Sequence, residues 1–233
     1  MRIVIFFFAM MALATVNAQT KNVPHKGGDS ESILQKRQDA EQLEHALEYF
    51  TSGKYHESLL IFHKLEENYK LNDRYRAYIA LGYYYEWDYE NAQKYFDEIL
   101  PRLSMLSPKE LSVYYYAAAE SHFYLHNYHE ALTYLEYVLT NGYNRDKGDA
   151  YYRMGFCYYL LAEESEMKGD TSTTIHLRAS ARDKLSAAAS FYRQYRNISE
   201  LSARLSQIEK MCNGLSAYLR RQSTKEEDPS QTE

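Results

Sequence analysis

A short pattern recurs along this chain at nearly constant spacing. Gly53-Lys54-Tyr55-His56-Glu57-Ser58, with Phe62 four residues on, returns 34 residues later as Asp88-Tyr89-Glu90-Asn91-Ala92 with Phe96. It returns 39 residues after that as Asn127-Tyr128-His129-Glu130-Ala131 with Leu135. A period near 34, with a small residue and a large apolar residue at fixed offsets, points to stacked helix-turn-helix units. One unit cannot bury its apolar face alone, so the pattern commits the chain to an array.

The segments between the repeats carry helical period throughout. Ile33, Ala40, Leu43, Leu47 and Phe50 recur at steps of three and four or their sums. Gly53 caps that first helix, and Tyr55 to Glu67 forms the second. Asp73 to Tyr85 and Glu90 to Leu100 make the next hairpin. Pro101 ends it, and Ser107-Pro108-Lys109-Glu110 opens another helix with a capping box and a proline at the first helical position. The five residues beyond the usual period sit in this linker, where insertion is cheap. Leu111 to Leu125, His129 to Thr140, Asp149 to about Met167 and Thr173 to Arg196 follow. The last helix opens at Asn197 and carries Leu201, Leu205, Ile208, Met211, Leu215 and Leu219 on one stripe, which suits a helix that seals the open end of an array. No strand-like alternation is found. Four prolines and nine glycines in 233 residues fit a helical chain; the 25 tyrosines are several times ordinary usage.

The ends read differently. Met1 to Ala18 has one charge, Arg2, an apolar run from Ile3 to Val16 and a small-x-small cleavage site at Val16-Asn17-Ala18. That is a secretory signal, and the run is short of the roughly 20 residues a membrane span needs. The chain is expected to be exported, periplasmic or secreted, with no membrane span after cleavage. Residues 19–29 read as a flexible leader, 30–221 as one helical repeat domain and 222–233 as a disordered tail. Without Arg2 the mature chain has 26 Lys+Arg against 32 Asp+Glu, a net charge of −6, which argues against nucleic acid as a partner.

The repeats resemble the tetratricopeptide repeat (TPR) family, whose pattern is W-x2-L-G-x2-Y, then A-x3-F, then P. Gln42, His45, Ala46 and Tyr49 precede Ser58 and Phe62; Arg76, Ile79, Ala80 and Tyr83 precede Ala92 and Phe96; Tyr115, Ala118, Ala119 and His122 precede Ala131 and Leu135. The spacing from Tyr49 to Ser58, Tyr83 to Ala92 and His122 to Ala131 is nine each time. A fourth unit begins with Tyr151, Met154, Gly155 and Tyr158, then departs: Met167 stands where a small residue belongs. Ala181 and Leu185, or Ala188 and Tyr192, resume the pattern after an insertion. The family proline is missing after each second helix. The resemblance implies an all-α, right-handed superhelix of antiparallel helical hairpins with a C-terminal capping helix.

It also implies that the first helix of each hairpin lines a concave groove for an extended peptide or a partner helix. The partner-binding set is then Leu47 and Phe50; Leu81, Tyr84 and Tyr85; Tyr116, Glu120 and Phe123; and Tyr152, Phe156 and Tyr159. Tyrosine suits such a surface, with large contact area, few rotatable bonds and a hydroxyl. Adjacent tyrosines cannot all face one way, so some of these rings belong to the core between repeats.

Other chemistry finds little support. His122, His126 and His129 share a face, but no Glu follows the first in the HExxH manner. Glu163-Glu164-x-Glu166 reads as a solvated acidic face. Cys157 and Cys212 sit in apolar helical patterns; buried free thiols or one bridge both fit. There is no Gly-rich phosphate loop and no G-x-S-x-G, so no cofactor is expected. The chain reads as a non-enzymatic interaction scaffold or adaptor of a bacterial cell envelope. Small-molecule or glycan binding, or a sensor role in a signalling system, are the alternatives.

Overall fold

The computed structural model describes residues 19–20 and 29–227, and within them the chain is all-α apart from one minimal strand pair. The expected signal segment, most of the expected leader and residues 228–233 lie outside the described residues. Nine α-helices follow one another: α1 Asp29–Thr51, α2 Tyr55–Asn68, α3 Asp73–Tyr85, α4 Tyr89–Ile99, α5 Pro108–Tyr124, α6 Tyr128–Asn141, α7 Asn144–Met167, α8 Thr171–Tyr195 and α9 Ile198–Glu227. Helices α1 and α2, α3 and α4, α5 and α6, and α7 and α8 pair as antiparallel hairpins, and α9 packs on α8. A 3-10 turn at Leu100–Arg102 holds Pro101. As the sequence predicts, Ser107 caps α5 by accepting from the Glu110 N–H.

The larger differences from the sequence reading are four. β1 Gln19–Thr20 pairs antiparallel with β2 Tyr69–Lys70, where no strand was expected. Two residues are too few to leave an alternation in the sequence. Helix α7 starts at Asn144 rather than Asp149, and α9 continues to Glu227, through the first part of the expected tail. The contacts also divide the expected single domain into two compact units, one ending at Leu103 and the other beginning at Ser104. That boundary falls in the linker that carries the extra residues.

All four hairpin turns are built alike. Gly53, Trp87, His126 and Gly169 each have positive φ, between 63° and 76°. The following amide donates to a carbonyl five residues back: Lys54 to Tyr49, Asp88 to Tyr83, Asn127 to His122 and Asp170 to Ser165. The positive-φ amide itself donates three residues back, to Phe50, Tyr84, Phe123 and Glu166. This is the Schellman cap, and it satisfies carbonyls that the helix end would leave bare.

The turns fix the repeat register. Counted back from them, the small residue of each first helix is Ala46, Ala80, Ala119 and Ala162, all fully buried. Nine residues beyond Tyr49, Tyr83, His122 and Ser165 come Ser58, Ala92, Ala131 and Thr174, also buried. In the first hairpin the contact is close enough for the Ser58 hydroxyl to donate to the Ala46 carbonyl at 2.8 Å. The spacing of nine therefore persists in the fourth hairpin as Ser165 to Thr174. The sequence match at Tyr151, Met154, Gly155 and Tyr158 is displaced by seven residues from Tyr158, Leu161, Ala162 and Ser165. Seven residues are almost two helical turns, so both sets share one face. No insertion interrupts the fourth unit; its helices are longer at the end away from the turn.

That longer hairpin is closed by two glycines. A Cβ on Gly148 would lie 2.8 Å from Tyr192 Cδ1, and one on Gly155 would lie 2.6 Å from Leu185 Cγ. Ala181, Leu185, Ala188 and Tyr192 are all fully buried. Both sequence alternatives for resuming the pattern thus face the core, since they too lie seven residues apart.

Helix α9 packs against α8. Leu205, Ile208 and Leu215 join Ala181, Leu185, Ala188, Ala189 and Tyr192 in one cluster. Removing residues 198–227 exposes this cluster. The expected outcome is a chain that elutes as large aggregates in size-exclusion chromatography, while the full chain does not. A soluble truncation with unchanged thermal midpoint would contradict the sealing role.

Candidate functional site: first-helix faces of the hairpins

In the first unit, the expected inward residues split into core and surface. Phe50 is buried, with its ring 5.3 Å from Tyr55 and 5.0 Å from Tyr78. Leu81 is buried as well. Tyr85 stacks on Tyr55 at 4.4 Å, and burial pushes its hydroxyl pKa well above the ordinary value. Leu47 is half-buried against the α1–α2 cluster. Tyr84 keeps part of its ring exposed, 5.1 Å from Tyr85 and 6.3 Å from Tyr89. Phe50 and Leu81 are therefore packing residues, because first helices must contact their neighbours before a face is left over for a partner.

The other side of this unit carries a polar network centred on Glu66. Its carboxylate accepts from Tyr95 at 2.9 Å and pairs with His63 at 3.2 Å, and Tyr83 meets the other His63 nitrogen at 2.7 Å. Burial by itself would raise the Glu66 pKa; the hydrogen bonds and the charges of His63 and Arg76 outweigh it and hold the carboxyl low. Arg76 makes a two-pronged pair with Glu98 at 2.7 and 2.5 Å. The network joins residues of α2, α3 and α4 and so ties these helices together.

In the second unit an ion pair lies under aromatic rings. Glu120 on α5 is buried and takes Arg153 of α7 through two hydrogen bonds, one of 2.9 Å. The Arg153 guanidinium sits 4.0 Å from the Phe123 ring centroid and 5.3 Å from that of Tyr124. Burial would lower the Arg153 pKa, but Glu120 overrides it and keeps the group charged. Tyr116 is buried, Phe123 is half-buried and Tyr124 is exposed. Glu120 was expected to face a partner; it faces Arg153 instead. A lone carboxylate on an otherwise apolar helix face needs a buried cation, and that need was the available sign of Arg153.

The fourth-hairpin residues are covered from within the chain. Tyr152, Phe156 and Tyr159 pack on the cluster that α8 and α9 form. Arg204 of α9 lies over the Tyr152 ring at 5.0 Å, and the Tyr152 hydroxyl donates to Gln207 at 3.3 Å. Beneath them Asp149 accepts from Tyr192 at 2.7 Å, Arg196 at 2.5 Å and Arg204 at 3.1 Å. At the other end of α9, Arg178 bridges Glu163 and Glu166 and stacks on Tyr218 at 3.9 Å. Two members of the acidic run thus serve an arginine clamp rather than a fully solvated face.

The remaining sequence candidates are separate. His122 is buried, with its ring 5.2 Å from Tyr134, and His126 bonds the Tyr128 hydroxyl at 2.7 Å. Among the described residues no three His, Cys, Asp or Glu side chains gather as metal ligands. Cys157 and Cys212 are both free, and burial pushes the Cys157 thiol up to about 12. An open cleft between α8 and α9 is lined by Ala189, Ile208, Cys212 and the Arg193–Glu209 pair. No described helix is long and apolar enough to cross a membrane.

No family model matches the chain, and no curated protein matches it. Among solved structures it is similar to MamA MSR-1 C2, at 12% identity and a TM-score of 0.44, over 78% of this chain and 98% of that one. It is also similar to a Podosopora anserina putative kinesin light chain with nearly identical TPR-like repeats, at 12% identity and a TM-score of 0.42, over 84% and 100% of the two chains.

Proposed function

We propose that this chain is a non-enzymatic interaction scaffold or adaptor of the cell envelope, and that it holds a peptide or helix of another protein against its first-helix faces. The observation that carries the reading is the exposed aromatic surface left once the core is filled. On α5, Phe123 and Tyr124 present rings fixed from below by the buried Glu120–Arg153 pair. On α3, Tyr84 keeps part of its ring exposed beside Tyr85, 5.1 Å away. Rigid rings with little entropy to lose are what a recognition surface uses. The signal-like pattern at Met1 to Ala18 supports the envelope setting, and the net negative charge supports a protein rather than a nucleic-acid partner.

The surface is therefore smaller than the sequence set. Phe50, Leu81, Tyr116 and Glu120 are packing residues, and Tyr152, Phe156 and Tyr159 pack on the α8–α9 cluster. The test compares the full chain with a Tyr84→Ala, Phe123→Ala, Tyr124→Ala variant of unchanged circular dichroism. Both are used as bait in envelope extract with quantitative mass spectrometry. A protein retained by the wild type and reduced tenfold or more with the variant is the expected outcome. Equal recovery with both would remove these rings from the interface.

A further inference from the structure

The four turns share a backbone but not a residue type. Gly53 and Gly169 take positive φ with no Cβ to strain. Trp87 takes φ 65° with the bulkiest side chain available, a conformation unfavourable for such a residue. The core gains little in return, because Trp87 is 79% exposed. It is the only tryptophan in the chain.

Its surroundings are acidic and aromatic. Glu86 and Glu90 are exposed and Asp88 is half-exposed, so three carboxylates stand within five residues. Asp88 is engaged in capping α4, accepting from the Asn91 N–H at 3.2 Å. No ion pair is found for Glu86 or Glu90 among the described residues. The Tyr84 and Tyr89 rings flank the turn in sequence, 6.3 Å apart. The preceding turn of the same unit offers a comparison. There Lys54 sits 5.3 Å from the centroid of the Tyr49 ring, a cation on an aromatic face supplied by the chain itself. No described cation occupies the Trp87 ring.

We propose that the turn Glu86–Glu90 is a docking surface for a lysine- or arginine-bearing peptide segment of a partner protein. The segment's cation lies on the indole face, the best of the aromatic faces for this contact. Glu86 and Glu90 supply the charge that draws it in. The same three carboxylates repel phosphates and anionic lipid surfaces, and a neutral sugar has no use for them. The proposal is independent of the first-helix surface above, since the variants that test it alter none of those residues.

Because Trp87 is the sole indole, its emission reports directly on the site. The full chain is titrated with a capped peptide of alternating lysine and serine, its glutamate counterpart, and maltohexaose. The expected result is a saturable change in Trp87 emission with the lysine peptide alone. Affinity should weaken about fivefold or more as salt rises from about 50 to about 300 mM, as charge screening requires. By calorimetry, E86Q/E90Q should weaken binding and flatten the salt dependence. W87G should lose binding and raise Tm, because glycine accepts positive φ without strain. The proposal is overturned by an unmoved emission, by an equal response to the glutamate peptide, or by a response to maltohexaose instead. Calorimetric binding retained in W87G would overturn it too, as would a lowered Tm, which would make the ring structural.

Discussion

Gly155→Val lowers the unfolding free energy of the second unit by about 3 kcal/mol, at the upper end of ordinary overpacking costs. The added Cβ would stand 2.6 Å from Leu185 Cγ, 2.8 Å from its Cδ2 and 3.3 Å from its backbone nitrogen. Leu185 is fully buried, so its side chain has nowhere to turn, and the backbone atom fixes the helix axis itself. Relief requires α7 and α8 to separate along a hairpin that is held just as closely at Gly148. Gly214 on α9 is the control. Nothing lies within 4 Å of its Cβ position, so Gly214→Ala should stabilise by about 0.5–1 kcal/mol through helix propensity. Urea denaturation with an unchanged slope measures both. Equal midpoints for Gly155→Val and wild type would place the closest α7–α8 approach elsewhere.

The same residue shows what the sequence could and could not disclose. Gly155 was legible as a small position in a helical hairpin, because the TPR-like pattern needs one wherever two helices meet. Its register was not, because a face that repeats every seven residues admits a second alignment one heptad away. The turn residue that breaks the tie is Gly169, whose positive φ matches Gly53. Trp87 and His126 occupy the same conformation without any local signal, since nothing about tryptophan or histidine announces it. The site was less legible than the fold. Periodicity places Phe50, Leu81 and Tyr116 on first helices, but period alone does not separate a face turned to a neighbouring helix from one turned to solvent. Glu120 is the instructive case: its position was read correctly and its partner was not, because Arg153 belongs to the next hairpin. The covering of Tyr152 by Arg204 depends on where α9 lies, and a capping stripe states that a helix docks without saying over which rings.

The polar anchor under α9 should prove as costly to break as the glycine contact. Asp149 is buried and is the common acceptor for Tyr192, Arg196 and Arg204. Asp149→Ala removes the acceptor that Tyr192, Arg196 and Arg204 share, while Arg196 keeps the Arg145 carbonyl and Asp146. Because both guanidinium groups are partly exposed, the expected loss is about 2–3 kcal/mol, below the range for a fully buried pair deprived of one partner. Part of that is the penalty of a partly buried guanidinium that has lost its carboxylate rather than the worth of the pair, so Asp149→Ala combined with Arg204→Met should recover some of it. Tyr192→Phe removes one hydrogen bond and should cost about 1 kcal/mol. It should also change the alkaline response. Burial first, and the Asp149 charge next, raise the Tyr192 pKa far above its ordinary value. A group with a raised folded pKa contributes stability that is complete below its unfolded pKa, about 10 for tyrosine, and fades as pH climbs toward the folded one. Wild type should therefore lose stability above about pH 10, and Tyr192→Phe should lose less over the same interval. Denaturant midpoints from neutral pH to about pH 11 read both effects. An Asp149→Ala protein as stable as wild type, with α9 still docked by hydrogen exchange, would show that the apolar stripe of Leu205, Ile208 and Leu215 holds the helix without the network.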